Sequence, residues 1–288
     1  MNRARSIFIT GYLLLATGLA GLSAWKILAG ADPMGWSGVL LVSAPILLLI
    51  AWLMLRKNVA RTGVHLPGLQ ILALSGTGLA AYSYLMREGE SLPLLLALAG
   101  TLSLYVYLYW YSRFDGRKPS PRLAVGARLP SFTLRRVGGG TIASSELLDR
   151  PAILLFFRGN WCPLCMAQIR EIAGMYREIS ALGVRVALIS PQPHGNTESL
   201  ARSYDVDFDF LTDEGGKAAR TLGIAHEDGL PMGMQALGYA SDTVLPTVVI
   251  TGRGGTILWT HETDNYRVRP EPGTFLEIMK QHGIVAAA

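Results

Sequence analysis

Four long apolar stretches without a charged residue follow one another in the first 111 residues of the chain. Each stretch is close to the roughly 20 residues that a helix needs to cross about 30 Å of hydrocarbon. Pro45 lies inside the second stretch, where a membrane helix tolerates proline because neighbouring groups satisfy the freed carbonyl. The pattern therefore predicts four transmembrane helices, at about residues 6–25, 34–55, 67–86 and 91–111.

The pattern changes after residue 111. Residues 112–122 are rich in Arg, Lys, Pro, Gly and Ser, which predicts a linker close to anionic lipid headgroups. From residue 123 to residue 288, apolar runs bounded by turn residues alternate with helix-like stretches, which predicts one α/β domain. The expected strands are 132–135, 152–157, 184–190, 247–251 and 257–260, with a hairpin turn at 252–255; the expected helices are 162–182, 198–204, 216–222 and 273–281.

Charge is distributed unevenly between the two halves. Residues 1–122 carry eleven Lys or Arg against four Asp or Glu, so the positive charge behind the pI of about 9.3 belongs to the apolar half. This placement argues against a nucleic-acid-binding surface. Nine of the basic residues fall on one side of the four predicted helices and two on the other, so the positive-inside rule predicts that both termini are cytoplasmic.

An alternative interpretation of the start is open. Met1–Ala24 has a basic start, an apolar core and small residues near its end, as a cleaved signal peptide has. The predicted placement of the C-terminal half is the same either way, because the later helices and their flanking charges set it.

The four windows contain no Asp, Glu, Lys, Arg, His or Cys. Transport pathways and haem ligation through a bilayer use such groups. The predicted role of the helices is therefore to anchor the chain in membrane lipid.

Candidate chemistry lies where an apolar strand meets an amphipathic helix, in the segment Phe156-Phe157-Arg158-Gly159-Asn160-Trp161-Cys162-Pro163-Leu164-Cys165. Free backbone N–H groups and the helix dipole stabilise a thiolate at a helix start. A spacing of three brings both cysteines to one face. Cys162, expected to be the more exposed, is the predicted attacking thiol, and Cys165 is the predicted resolving thiol.

Three neighbours of the cysteines are expected to support them. Arg158 adds positive potential, Trp161 shields one side of the sulfur, and Pro163 occupies an early helix position without losing a hydrogen bond. Two cysteines exclude a disulfide-stapled fold. A zinc site needs two further ligands, and only five scattered histidines are present, so no metal is expected.

A second segment lies about 80 residues later, where Leu245-Pro246 opens a β-rich run. It resembles the thioredoxin superfamily, in which a cis-proline at such a strand start lies against the CxxC pair and presents backbone groups to the substrate. The resemblance therefore implies that Leu245 and Pro246 bind substrate.

Residues from about 124 to 281 resemble more closely the peroxiredoxin-like (AhpC/TSA) branch of that superfamily. The segments that carry the resemblance are Gly126–Leu134, Phe156–Cys165, Phe210–Asp213 with Leu222–Ile224, and Tyr266–Pro270. It implies a thioredoxin fold, antioxidant or thiol–disulfide activity on peroxides or protein disulfides, an external thiol reductant such as thioredoxin, and no cofactor.

One departure from this family changes the expected chemistry. Typical members read Pro-x-x-x-Thr-x-x-Cys, but the positions before Cys162 hold Leu155 and Gly159, and those before Cys165 hold Arg158 and Cys162. The departure favours dithiol–disulfide exchange alongside peroxide reduction. Arg158 is a candidate substitute for the arginine of the family's active site.

Three further residues are expected to lie at the protein surface. His194 is expected in a solvated loop, with a proton-shuttle role as the alternative. Arg267 and Arg269 are expected to be solvent-exposed, with a position on the substrate face as the alternative. The sequence as a whole predicts a membrane-anchored thiol–disulfide oxidoreductase that cycles its CxxC pair. An extracytoplasmic disulfide reductase and a non-enzymatic membrane redox sensor are the alternatives.

Overall fold

A computed structural model describes residues 2–55, 60–114 and 116–284. These residues form two compact units, the first built from long helices and the second consisting mainly of the chain from Phe114 onward. The bounds of the four long helices are α1 Asn2–Leu28, α2 Pro33–Leu55, α3 Pro67–Met86 and α4 Ser91–Val106, and a π-helical turn, Tyr107–Tyr111, continues α4.

The four helices are long and apolar enough to cross a membrane, by length and composition. Leucines such as Leu14, Leu48 and Leu102 point outward with more than 60% of their surface exposed. Helices α2 and α3 approach closely at Gly38 and Gly76, where an added Cβ would lie within 3 Å of the opposite carbonyl oxygen. The predicted windows thus correspond to four observed helices, each with apolar side chains on its surface.

The second unit contains nine strands and six helices in its described part. The strands are β1 Thr133–Arg136, β2 Thr141–Ala143, β3 Ala152–Phe156, β4 Arg185–Ser190, β5 Asp209–Thr212, β6 Ala225–His226, β7 Thr243–Val244, β8 Thr247–Thr251 and β9 Ile257–Glu262. The helices are α5 Ser144–Leu147, α6 Pro163–Gly174, α7 Tyr176–Ala181, α8 His194–Arg202, α9 Lys217–Thr221 and α10 Pro272–Gln281.

Seven strands form one sheet in the order β2-β1-β5-β4-β3-β8-β9. Strands β3, β4 and β5 run parallel, while β8 and β9 form an antiparallel hairpin beside β3. Every residue of β3 is buried, as expected for a continuous apolar run in the middle of a sheet. The predicted α/β class is confirmed, and so is the hairpin at residues 252–255.

The long helix predicted over residues 162–182 is wrong in one respect, because it is interrupted at Met175. The Met175 N–H donates to Ile172 O at 3.1 Å, an i→i−3 bond that tightens the last turn of α6 after Gly174. Helix α8 begins earlier than predicted, at His194, so this residue lies at a helix start and not in a loop.

The segment before residue 123 differs from the expected tether, because it packs onto the second unit. Phe114 N–H donates to Asp264 O at 2.8 Å, and Ser120 Oγ donates to Leu222 O at 2.7 Å. Arg117 and Glu262 form a 3.1 Å ion pair in which each side chain is only 4% exposed. The composition of the linker correctly predicts that the segment is polar. It does not show that these polar groups form hydrogen bonds and ion pairs inside the α/β domain.

Candidate redox site

The CxxC segment turns from β3 into α6. Phe157 N–H donates to Ile189 O at 2.9 Å, which carries the sheet pairing past the end of β3. Gly159 then adopts a φ of +149°, a region that favours glycine. Cys162 N–H donates to Gly159 O at 3.1 Å and closes the turn. The chain therefore enters the helix with Cys162 as the residue that caps it.

Both sulfurs lie at the start of α6. Cys162 is the N-cap residue, Pro163 follows at the first helical position, and Cys165 N–H points at the Sγ of Cys162 at 3.3 Å. The two cysteines are joined as a disulfide with their Cα atoms 5.2 Å apart. In the reduced state the same N–H and the positive end of the helix would stabilise a Cys162 thiolate.

Cys162 lacks the exposure that its position at the helix start predicts. It is 2% exposed and Cys165 is 1% exposed, so both are buried. A segment from Asp228 to Ser241 is bonded to this turn, because the Tyr239 hydroxyl donates to the Asn160 side chain. We call residues 228–241 the covering segment.

Arg158 is buried beneath the same segment and is 5% exposed. One of its guanidinium nitrogens donates to the carbonyl of Gly229, and its own carbonyl accepts the Thr243 hydroxyl at 2.9 Å. Its guanidinium carbon lies 4.7 Å from the centroid of the Trp161 ring and 5.8 Å from that of Tyr266. Arg158 and Trp161 thus form a cation–π pair next to the first cysteine.

Arg267 and Arg269 are not solvent-exposed as expected, because they are only 1% and 5% exposed. Arg269 carries no hydrogen bond at Nε or Nη2 among the described residues. Burial, followed by repulsion from Arg158, lowers its pKa to about 9. Packing of the Tyr266–Pro270 segment against the α/β domain buries these arginines, which periodicity does not reveal.

A hydrogen-bonded chain holds the turn from the other side. Asn160 N–H donates to Gln192 Oε1 at 2.7 Å, and Gln192 Nε2 donates to the Thr197 hydroxyl at 3.2 Å. Thr212 hydroxyl joins Thr197 at 3.1 Å and His194 Nδ1 at 2.9 Å. Sequence reasoning missed Gln192, since no local pattern marks a glutamine that reaches a turn 32 residues away.

The peptide bond before Pro246 is trans, since the described residues contain no cis peptide bond, and the expected cis-proline is therefore wrong. Leu245 N–H donates to Ile224 O at 2.8 Å, and Pro246 O accepts from Arg117 at 2.9 Å. These bonds fix both residues in an extended path into β8.

Within the described ranges, no group of three or more His, Cys, Asp or Glu residues is arranged to hold a metal ion. The features that the structure brings together are therefore a thiol pair at a helix start, a buried guanidinium–indole stack and a polar chain that fixes the turn.

Comparison with known proteins finds similarities to the α/β domain. Residues 125–260 match the AhpC/TSA family. Chloroplastic peroxiredoxin Q from Triticum aestivum is 27% identical over 103 residues, which are 36% of this chain and 48% of the relative. The Populus jackii protein of the same name is 28% identical over 99 residues, or 34% and 46% of the two chains. The chain thus matches about half the length of these curated relatives, and the match supports the peroxiredoxin-like resemblance of the α/β domain.

Solved structures similar to this chain have low sequence identity to it. Peroxidoxin BcpB from Mycobacterium tuberculosis is 18% identical with a TM-score of 0.47, and the match covers 55% of this chain and 97% of that one. A putative thiol:disulfide interchange protein DsbE from Chlorobium tepidum is 20% identical with a TM-score of 0.43, covering 56% and 99%.

Proposed function

We propose that the protein is a membrane-anchored thiol–disulfide oxidoreductase with peroxiredoxin-like antioxidant activity. The observation that carries the proposal is the CxxC pair at the start of α6, where Cys162 caps the helix and Cys165 N–H faces its sulfur. The family match over residues 125–260 supports the same chemistry.

The proposed cycle begins with the Cys162 thiolate. Attack on a peroxide oxygen breaks the O–O bond, releases an alcohol or water, and leaves Cys162 as a sulfenic acid. The Cys165 thiol then attacks the Cys162 sulfur, expels water and forms the disulfide. An external thiol reductant such as thioredoxin returns two electrons and restores both thiols.

Attack on a disulfide bond is the second route through the same site. Cys162 forms a mixed disulfide with the substrate, and Cys165 releases the reduced substrate by closing the same Cys162–Cys165 bond. Leu155 and Gly159 occupy the positions that proline and threonine hold in typical peroxiredoxins, and this departure favours the disulfide route as a parallel activity. We keep Leu245 and Pro246 as the proposed substrate-binding backbone, and Arg158, Trp161 and Pro163 as supporting residues.

Substrate can reach the sulfur only after a local opening, because both cysteines are buried. The covering segment is the candidate for this movement, since a few hydrogen bonds, at Gly229 and Tyr239, hold it to the CxxC turn. Opening of such a segment is a small-scale event compared with unfolding of the domain.

Cysteine variants of the full chain in detergent test the assigned roles. Cys165→Ser should accumulate a Cys162 sulfenic acid with a hydroperoxide, or a mixed disulfide with a protein disulfide, whereas Cys162→Ser should accumulate neither. Mass spectrometry detects the sulfenic acid after labelling with a sulfenate-specific reagent, and it detects the mixed disulfide directly in unreduced samples. Adducts on Cys165 in the Cys162→Ser variant would reverse the roles, and adducts in neither variant would contradict the redox function.

We also propose that the four long helices span a membrane with both termini in the cytoplasm, on the basis of nine flanking basic residues against two. Reporter fusions at the C-terminus test this. Activity of an extracytoplasmic reporter alone would favour a disulfide reductase that serves secreted proteins. A chain that turns over neither peroxide nor disulfide, but binds a membrane partner according to its thiol state, would be a redox sensor.

A further inference from the structure

Two buried guanidinium groups beside the CxxC turn have no anionic partner. Arg158 and Arg269 are each 5% exposed. None of the ion pairs among the described residues includes either of them. The Nε atoms of both, and Nη2 of Arg269, are buried without a hydrogen-bond acceptor.

Arg117 in the same domain shows how this chain satisfies a buried guanidinium group when the role is structural. Its charge is paired with Glu262, and its remaining donors reach Pro246 O and the Thr247 hydroxyl. Burial of a charge without such partners is costly, and native proteins pair buried charges or coordinate them. Arg158 and Arg269 therefore lack a counter-ion that their burial calls for.

The surroundings of the two arginines indicate what kind of anion fits. The guanidinium carbon of Arg158 lies over the rings of Trp161 and Tyr266, so flat apolar surfaces flank the charge. Arg269 follows Tyr266 by three residues, so it lies in the same segment as the ring that Arg158 contacts. Guanidinium groups bind carboxylates through two parallel N–H bonds. A planar carboxylate attached to an apolar body matches this setting better than a small hydrated ion.

We propose that Arg158 and Arg269 bind a carboxylate carried by the substrate, so that the preferred substrates of this site are organic acids bearing a peroxide or a disulfide. The inference rests on the proposed function. One carboxylate oxygen replaces the Gly229 carbonyl at Arg158, and the other takes the free donors of Arg269. Binding then breaks one of the bonds that hold the covering segment and opens the path to Cys162.

A matched substrate pair tests the proposal on the full chain in detergent, with a thiol reductant in excess. The substrates are 4-(2-hydroperoxypropan-2-yl)benzoic acid and its methyl ester, which differ only in the charge. We expect kcat/KM to be about tenfold or more higher for the acid. Arg269→Gln should bring the ratio close to one, and Arg269→Lys, which keeps the charge but not the two parallel donors, should give an intermediate ratio.

Arg253→Gln is the matched control, because Arg253 is an exposed arginine in the β8–β9 hairpin and should keep the wild-type ratio. Equal ratios in wild type and Arg269→Gln would overturn the proposal. So would an Arg269→Gln variant that only raises the pKa of the Cys162 thiol, because the counter-ion would then be the thiolate.

Binding measured without turnover separates this inference from the proposed function. Isothermal titration calorimetry with 4-isopropylbenzoate should show saturable binding to wild type and Arg253→Gln, and none to Arg269→Gln. The amide analogue should not bind. Acetate or inorganic phosphate binding as tightly as the benzoate would show a site for free ions and overturn the substrate assignment. Turnover that shows neither a preference for the acid nor binding of the benzoate would overturn this inference and leave the redox function standing. Binding of the benzoate without any turnover would contradict the redox function and leave the carboxylate-binding site standing.

Discussion

Replacement of Arg117 by Met is the substitution whose consequence the structure defines most closely. The guanidinium group of Arg117 pairs with Glu262 at 3.1 Å, donates to Pro246 O at 2.9 Å, and donates to the Thr247 hydroxyl at 2.8 Å. Burial lowers the pKa of Arg117, and the charge of Glu262 opposes that shift. Arg117 thus connects the segment before residue 123 to the start of β8 and the end of β9.

The expected cost of Arg117→Met is large because Glu262 would remain charged and 4% exposed, with Ser120 N–H as the one remaining donor to its side chain within the described part of the chain. Removal of one partner from a buried ion pair typically costs about 3–5 kcal/mol. If the hairpin opens locally, hydrogen-exchange protection of β8 and β9 should fall by roughly a hundredfold or more, since about 1.4 kcal/mol is tenfold.

Hydrogen exchange followed by mass spectrometry on the full chain measures this loss peptide by peptide. The double variant Arg117→Met with Glu262→Met should recover much of the protection, because it removes both charges together. The matched control is Arg135→Met, which breaks an exposed pair with Glu214 and should leave protection within about twofold. A loss below tenfold in β8–β9 for Arg117→Met would refute the argument that this buried pair anchors the segment.

Two further predictions concern pH and the CxxC turn. Burial, followed by the charge of Arg269, lowers the pKa of His261 to about 4, so stability from neutral His261 is present above about pH 6.5 and lost as pH falls through 4. The free energy of unfolding of wild type relative to His261→Asn should therefore drop by about 2–3 kcal/mol between pH 7 and pH 4, and parallel profiles would contradict this. Gly159→Ala should slow disulfide formation and shift the tryptophan fluorescence of the chain, because a Cβ at residue 159 would lie 2.6 Å from Trp161 Nε1. The control is Gly174→Ala, whose Cβ meets nothing within 4 Å and which should change neither quantity.

Local sequence patterns predicted the elements that local forces determine. The charge-free windows predicted the four long helices. For the third helix, Pro67–Met86, the predicted first and last residues are the observed ones. The continuous apolar run Ala152–Phe156 predicted a buried strand, and the cysteine spacing after it predicted a pair at a helix start. These features depend on residues within a few positions of one another.

Features that depend on contacts between residues far apart in the chain could not be predicted from the sequence. Arg267 and Arg269 were expected to be solvent-exposed, but both are buried. Packing against the rest of the α/β domain buries them, and a local sequence pattern does not predict such packing. Residues 112–122 were expected to form a tether, but Arg117 bonds to Asp264 and Glu262, more than 140 positions away. The covering segment also reaches the CxxC turn from about 70 residues later in the chain, where Arg158 donates to the Gly229 carbonyl.

The stoichiometry of one oxidation cycle tests the central claim most directly. Reduced full chain is mixed with a limiting organic hydroperoxide, and the thiols of Cys162 and Cys165 are quantified by alkylation and mass spectrometry. The account predicts one alcohol formed and one Cys162–Cys165 disulfide closed for each peroxide consumed, with both thiols restored by a thioredoxin-type reductant. Two thiols that stay free against both hydroperoxides and protein disulfides would contradict it.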